Sequence, residues 1–321
     1  MGTIKHILVA ATAAATLASA GIGPAAASTF ATAILDISNF RLLHSNGAVY
    51  RNTDFSRLTS VNDAQATASL NSLFANSSSS GPRPDVTHQC VGSCLTFAEN
   101  SFAHGGANAL FALPGSFGFA DQRFQGSGIS INGAPAGAHA QTRADVATLR
   151  NNQFATGNSS VGSSNTMVFT LAGSDTMTVA FDATPYAMAY LTPGSRPVTS
   201  AAARMSWSIN VVDLKTGNSV FAFAPAEING LGSVSRTDGM AGLSSFNEVG
   251  QVFSFQASTP KLLTGRSYQV TVQQSAIVMA LQQEELPEPG SLAVFLSGLI
   301  VMWSAMYLRV EAGKSRCENW I

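Results

Sequence analysis

The sequence predicts a mainly β fold, an antiparallel β-sandwich of jelly-roll-like topology. Many short segments alternate apolar with polar residues, and clusters of Gly, Asn, Ser and Pro separate them. This is the pattern of strands joined by turns. No run of alternating strand and helix patterns competes with it. With 321 residues, 45% of them hydrophobic, the chain is long enough to bury a substantial core.

The N-terminal segment has the parts of a secretory signal peptide. A short start carrying Lys5 is followed by the apolar, Ala-rich residues 7–18. Ala25-Ala26-Ala27 then places small side chains at the −3 and −1 positions of a cleavage site before Ser28. We therefore expect residues 1–27 to direct export through the general secretion machinery and to be removed by signal peptidase.

Two alternatives stay open for this segment. Ala18-Ser19-Ala20 offers the same small residues for cleavage at an earlier position. The Ala-rich stretch could also be a buried helix of the mature domain. Gly21, Gly23 and Pro24 disfavour that helix because they interrupt it where it would have to continue.

Residues 28–285 are predicted to form one β-sandwich domain. A period of two, with one face buried, identifies its strands. The alternating segments are Ala64–Leu70, Met167–Leu171, Met177–Phe181, Met205–Val211, Phe253–Phe255 and Tyr268–Val272. Thr216-Gly217-Asn218 supplies turn residues between two such segments, so residues 204–224 are predicted to form a hairpin. Gly265 marks another turn.

Three stretches interrupt this pattern. Residues 76–84 contain four consecutive serines and are predicted to form a flexible surface loop. Residues 146–151 are interpreted as a helical turn. A division of the domain near residues 158–165 is the alternative to a single unit.

Cys90 and Cys94 are the only cysteines of the predicted mature domain. An oxidising compartment outside the cytoplasm favours a disulfide between them. The closed loop is short, so the bond would contribute only about 2 kcal/mol and would staple the loop locally. The alternative is a metal site that adds His88 and His104, but the spacing of these residues matches no recognised zinc pattern.

The C-terminal region contains an uncharged apolar stretch, residues 291–308. As a helix it would be about 27 Å long, which nearly matches the hydrocarbon core of a bilayer. Arg309, Lys314 and Arg316 follow it, and basic residues are retained on the cytoplasmic side of a membrane. We therefore expect a transmembrane helix with the main domain outside. A helix in a soluble core is the alternative.

The residues before this stretch resemble a known signal. Pro287-Glu288-Pro289, followed by the apolar span and basic residues, is similar to the PEP-CTERM sorting signal of Gram-negative bacteria. The resemblance covers residues 286–321. It implies processing by an exosortase, anchoring in the inner membrane during sorting, and a final place at the cell surface or outside the cell. It implies no enzymatic role.

Charge and motif content exclude several functions. Seventeen basic and eighteen acidic residues give no positive field, so nucleic acid is not an expected partner. His104-Gly105-Gly106 is similar to an esterase oxyanion loop, but no G-x-S-x-G accompanies it. Asp175, Asp182 and Asp213 are interpreted as solvated residues at strand ends or edges, not as a catalytic pair. The sequence therefore predicts neither an enzyme nor a metal or cofactor site.

Two functions remain at this stage. The first is a structural or adhesive role at the cell surface or in the extracellular matrix. The second is a carbohydrate-binding module of the exopolysaccharide matrix, because sugar rings stack on aromatic side chains and Tyr186, Tyr190 and Trp207 lie on or beside predicted strands. For Trp207, core packing is the favoured interpretation because it lies on the apolar face of an alternating strand.

Overall fold

Fourteen strands account for most of the residues that the computed structural model describes, which are 28–81, 84–94, 98–103, 115–125, 138–193 and 198–283. The predicted signal peptide, the Pro287-Glu288-Pro289 motif, the span 291–308 and the basic tail lie outside these residues. The strands are β1 Thr29–Leu43, β2 Phe55–Leu70, β3 Leu73–Gly81, β4 Asp85–Gly92, β5 Phe117–Gln125, β6 Ala138–Thr148, β7 Gln153–Leu171, β8 Asp175–Leu191, β9 Thr199–Asp213, β10 Ser219–Phe223, β11 Val234–Thr237, β12 Gly242–Phe246, β13 Phe253–Leu262 and β14 Ser267–Gln282. Helix α1 spans Ala226–Asn229, and 3-10 helices span Asn52–Asp54 and Asp238–Met240.

The strands form two sheets. Sheet I has the order β12-β8-β1-β6-β5-β4, and β13 also pairs with β8. Sheet II has the order β10-β9-β14-β7-β2-β3, and β11 also pairs with β9. The strand pairs of both sheets are antiparallel. The predicted mainly β, antiparallel sandwich is thereby confirmed.

Each alternating segment lies in a strand, namely β2, β7, β8, β9, β13 or β14. The predicted hairpin is the pair β9 and β10, and Gly217 in its turn has a φ of +72°. Strand β9 shows why alternation was informative, because its residues alternate between buried and more exposed positions along its length.

The interpretation of the first two stretches was wrong, and the alternative division at the third is not seen. The serine run is strand β3, because the edge of β2 provides backbone partners from Asn62 to Leu70 that do not depend on side-chain type. Strand β6 continues to Thr148, where a helical turn was expected, and pairs with both β1 and β5. Strand β7 runs from Gln153 to Leu171 through the alternative division point, so the chain is not divided there.

The two ends of the sandwich have different cores. We call the end where Ser28 and Gln283 lie the terminal end, and the opposite one the distal end. Aromatic residues fill the middle and distal part, where the Trp207 ring centroid lies 4.1 Å from that of Phe181 and 6.2 Å from that of Phe40. Alanine dominates the terminal half; its buried alanines include Ala31, Ala33, Ala66, Ala68, Ala144, Ala155, Ala187, Ala189, Ala201, Ala203, Ala276 and Ala280. The core therefore tapers along the strand direction.

At the thin part of the taper the two sheets meet backbone to backbone. A Cβ atom added to Gly118 on β5 would lie 2.4 Å from the carbonyl oxygen of Ser69 and 2.7 Å from that of Thr156, both on sheet II. A Cβ atom added to Gly157 on β7 would lie 2.4 Å from the carbonyl oxygen of Phe119 on sheet I. These two glycines are required by close approach, because other side chains would push the sheets apart.

Candidate functional site

The disulfide predicted between Cys90 and Cys94 is confirmed. Cys90 lies on edge strand β4, and Cys94 packs against a buried apolar cluster on the outer face of sheet I. The alternative metal site is not formed by the described residues, since His88 contacts Glu99 instead of the sulfur atoms and His104 lies outside them. No group of three or more His, Cys, Asp or Glu side chains suited to a metal is found within the described ranges.

The outer face of sheet I is covered, which the sequence did not indicate. Phe30, Ile34, Phe119 and Tyr186 are buried there, on the side of sheet I that faces away from sheet II. Because β1 is buried on both faces, its apolar residues do not alternate with polar ones. Phe102 packs on this layer and shows that residues 98–103 form part of its cover.

A polar network fastens residues 98–103 to the sheet. Arg143 on β6 donates from Nε to Asp145 at 2.6 Å, and from Nη1 to the carbonyl oxygens of Ser101 at 2.8 Å and Ala103 at 3.2 Å. Its guanidinium carbon lies 5.9 Å from the Phe119 ring centroid. Arg143 and Asp145 are 4% and 1% exposed, so the pair is a buried ion pair. Its role is to hold the covering segment in place.

Asp121 on β5 belongs to the same network. Its Oδ2 accepts a hydrogen bond from the Asn100 backbone amide at 2.8 Å, while its Oδ1 has no hydrogen-bond partner among the described residues. Burial raises the pKa of Asp121 to about 6, opposed by the Asn100 hydrogen bond and reinforced by the charge of Glu99. Its charge therefore changes in the mildly acidic range.

The raised pKa of Asp121 leads to a stability prediction. A carboxyl group with a raised pKa stabilises the fold fully below the unfolded pKa near 3.8, and this contribution is lost as the pH rises through about 6. Asp121→Asn, which resembles the protonated form, should therefore be about 2 kcal/mol more stable than the wild type at pH 7 and equal to it at pH 3.5. Urea unfolding at the two pH values measures this. Asp238→Asn, the same chemical change at an exposed position, is the control for the effect of the substitution itself.

A second polar cluster lies at the distal end, in the segment between β1 and β2. The imidazole of His44 contacts Asp175 through Nδ1 at 2.6 Å and Asp54 through Nε2 at 3.1 Å. Tyr50 stacks on the His44 ring with a centroid distance of 3.7 Å and donates its hydroxyl hydrogen to Asp175 at 2.9 Å. The cluster ties this segment to the start of β8.

The electrostatics of the cluster favour its charged form. Burial lowers the pKa of His44, but hydrogen bonds and charges from Asp175 and Asp54 outweigh it, so the pKa is raised. Burial raises the pKa of Asp175, but hydrogen bonds from Ser45, His44 and Tyr50 hold it well below its usual range. Both ring nitrogens of His44 are directed at carboxylates, so neither is free to act as a general base.

Sequence reasoning missed this cluster. His44, Tyr50 and Asp54 carried no motif, and Asp175 is 131 residues from His44 along the chain. Asp175 and Asp213 lie at strand ends, as interpreted, but the interpretation as a solvated residue is wrong for Asp213. Asp213 is 2% exposed and accepts from Arg266 Nη1 at 2.6 Å, and Asp182 accepts from Asn39 and Ser254.

The aromatic residues considered for sugar binding do not form an exposed platform. Trp207 is 1% exposed and lies in the core between the sheets, as favoured from its strand pattern. Tyr186 is 2% exposed in the covered outer layer, and Tyr190 is partly buried beside it. Trp207 and Tyr186 therefore offer no open face for stacking on a sugar ring, and Tyr190 is only partly exposed.

Comparisons with known proteins place the chain in no family. No family model and no curated protein matches it. Among solved structures, a crystal structure of the infectious bursal disease virus VP2 subviral particle is 12% identical over 86% of this chain and 87% of that chain, with a TM-score of 0.11. A TM-score this low says nothing about fold or function. The helices within the described ranges are too short or too polar to cross a membrane.

Proposed function

We propose that the chain is an exported, exosortase-processed surface or extracellular-matrix protein with a structural and adhesive role. The observation that carries the adhesive role is a row of uncharged polar side chains across the outer face of sheet II. The row crosses five strands and consists of Ser78, Gln65, Ser160, Ser275 and Ser206, each paired in register with the next. Hydroxyl and amide groups both donate and accept hydrogen bonds, so such a face suits a hydroxyl-rich polymer such as exopolysaccharide.

The local geometry supports a surface that is open to a partner, not one that is buried within the protein. Ser206 and Ser275 share a hydrogen bond of 2.7 Å, and Ser69 and Thr156 share one of 2.6 Å, so neighbouring hydroxyls hold each other in place. Ser78, Gln65 and Ser206 remain exposed. Contacts with a polymer would be individually weak and would add up over the face.

The compartment is supported by separate evidence. The Cys90–Cys94 disulfide agrees with an oxidising exterior, because cytosolic thiols are normally kept reduced. The signal peptide at residues 1–27 would direct export, and the sorting signal at residues 286–321 would direct sorting to the cell surface or the outside of the cell. An exosortase and the secretion machinery are the partners that follow from them, with the membrane as a temporary anchor.

The adhesive face is tested by placing charge on it. We expect the double substitution of Gln65→Glu and Ser206→Asp to reduce retention of the exported protein on cells and matrix at least tenfold, since a charge desolvated in the contact costs more than 1.4 kcal/mol. Fractionation of cells, matrix and medium measures this.

The chain offers a matched control on the other sheet. Gln256→Glu with Ser258→Asp makes the same chemical changes at exposed positions of β13, and Ser258 bonds Thr178 much as Ser206 bonds Ser275. This variant should be retained like the wild type. Equal retention of both double variants would show that the face of sheet II is not adhesive.

The sorting signal is tested independently. Replacing Pro287, Glu288 and Pro289 by alanine should leave membrane insertion intact, because residues 291–308 keep their apolar character. It should block processing, so that full-length protein accumulates in the inner membrane. Immunoblotting of membrane and extracellular fractions measures the ratio. If the triple variant lost its C-terminal peptide at the wild-type rate, the sorting-signal assignment would be wrong.

A further inference from the structure

The two ends of the sandwich differ in charge. The distal end carries ionised side chains from several turns and strand ends, including Arg51, Asp54, Asp175, Asp213, Lys215 and Arg266. At the terminal end, the charged side chains of the described ranges are Arg150, Arg236 and Asp238. Within the described ranges, the charge is therefore unevenly distributed along the strand direction, with a charged distal end and a weakly charged terminal end.

Six of the eleven large apolar side chains that are exposed within the described ranges lie at the terminal end. Of the other five, Leu214 and Leu263 lie at the distal end, and Leu231, Val249 and Val252 lie in connections between strands. At the terminal end, Leu73, Phe74, Val198 and Met240 are between 52% and 63% exposed, and Phe154 and Leu243 are 40% and 36% exposed. They come from four separate parts of the chain: the β2–β3 turn region, the start of β7, the approach to β9, and the connection from β11 into β12. Large exposed apolar side chains gathered in one region of a surface indicate an interaction site.

The chain leaves the sandwich among these side chains. Gln282, the last residue of β14, pairs with Gln153 of β7 and with Thr199 of β9. Gln153 directly precedes Phe154 in sequence, and Thr199 directly follows Val198. Seven residues, Glu284 to Gly290, connect the end of the described chain to the apolar stretch at Ser291. Fully extended, they span about 24 Å at most.

We infer that the terminal end is a membrane-contacting surface, whose exposed apolar side chains insert into the interfacial region of the bilayer that holds residues 291–308. This inference rests on the proposed anchoring by the sorting signal. A tether of at most about 24 Å keeps the terminal end close to the bilayer. The resulting effective concentration is high, so the terminal end binds the bilayer even if the contact is weak. Moving phenylalanine, leucine and methionine side chains from water into this region lowers the free energy.

The contact has a consequence for the outer face of sheet II. With the terminal end on the bilayer, the strands stand upright and the charged distal end points away from the membrane. The polar face of sheet II then lies at the side of the molecule, open to the matrix. The same residues could instead be covered by a second copy of the chain or by its own apolar stretch, and these are the competing outcomes of the test.

The test places a fluorophore at matched positions of the full chain in lipid vesicles. In a Cys317→Ser background, Phe74→Cys at the terminal end and Leu214→Cys at the distal end each provide one free thiol, because Cys90 and Cys94 are bonded to each other. Both sites are exposed, at 63% and 45%, so labelling with the environment-sensitive dye NBD should not disturb the fold. The vesicles are phosphatidylcholine with phosphatidylglycerol, with or without nitroxide-labelled lipid.

We expect nitroxide lipid to quench at least half of the NBD emission at position 74 and less than a tenth at position 214. Vesicle flotation is measured on the same samples. Protein that does not float overturns the proposed anchoring, and this inference with it. Protein that floats with equal quenching at the two positions overturns the membrane contact alone, and a blue-shifted, unquenched label at position 74 assigns the surface to protein contact instead.

Discussion

Replacing Gly118 with alanine is expected to lower the free energy of unfolding by at least about 3 kcal/mol. The added methyl carbon would lie 2.4 Å from the carbonyl oxygen of Ser69 and 2.7 Å from that of Thr156. Both are backbone atoms of the facing sheet and are held by strand pairing, so no side-chain rotation relieves the clash. Relief requires the sheets to separate at the thin part of the core, which loosens the packing of the alanines around it.

A second glycine provides the control. Gly173, in the turn between β7 and β8, has nothing within 4 Å of an added Cβ atom. Gly173→Ala should therefore leave stability unchanged or raise it slightly, because alanine restricts the unfolded chain. Urea unfolding followed by circular dichroism measures the free energy of unfolding of the two variants. The comparison requires that their m-values are equal. If the free energies of unfolding of the two variants differed by less than about 0.5 kcal/mol, the close contact between the sheets would not exist in solution.

The elements that could be predicted from sequence are those with one buried face. In β9, Met205, Trp207, Ile209 and Val211 face the core while their neighbours face outwards, so a period of two is visible. Strand β1 shows no such period, because Phe30 and Ile34 pack under the outer cover while Ala31 and Ala33 pack in the core. Burial of both faces removes the contrast on which the pattern depends.

Strand β3 was missed for a different reason. A run of serines has no apolar period and a composition typical of loops, so local sequence argues against a strand. Pairing with β2 determines its structure, residue by residue from Leu73 to Gly81. The order of the strands could not be predicted either. β14 pairs with β7 and with β9, which are distant in sequence, and an alternating pattern does not indicate which strands pair with each other.

The same distinction separates the predicted disulfide from the missed polar networks. Cys90 and Cys94 are four residues apart, so their pairing follows from chain connectivity and compartment. His44 and Asp175, or Arg143 and the carbonyl oxygen of Ser101, meet only because the fold brings distant segments together. No spacing rule reveals such contacts before the topology is known.

Replacing Arg143 with methionine is expected to have an effect of similar size, about 3 to 5 kcal/mol. Asp145 is 1% exposed, and the variant would leave its charge in the covered outer layer without the guanidinium that now lies 2.6 Å away. The carbonyl oxygens of Ser101 and Ala103 would also lose the donor that Arg143 provides. Urea unfolding measures the loss of stability, and hydrogen exchange should show faster opening of residues 98–103 before the sandwich itself unfolds.

Two further variants separate the buried charge from the loss of the arginine side chain. Arg143→Met combined with Asp145→Leu removes both charges, and most of the lost stability should return because an apolar pair of similar volume can replace a buried ion pair. Hydrogen exchange of residues 98–103 should stay fast in the double variant, since no guanidinium reaches Ser101 or Ala103. Arg150→Met, at an exposed position, should change stability by less than about 0.5 kcal/mol. If the single and double Arg143 variants were equally destabilised, the unpaired charge of Asp145 would not be the cause, and the fastening of the covering segment would account for the whole effect.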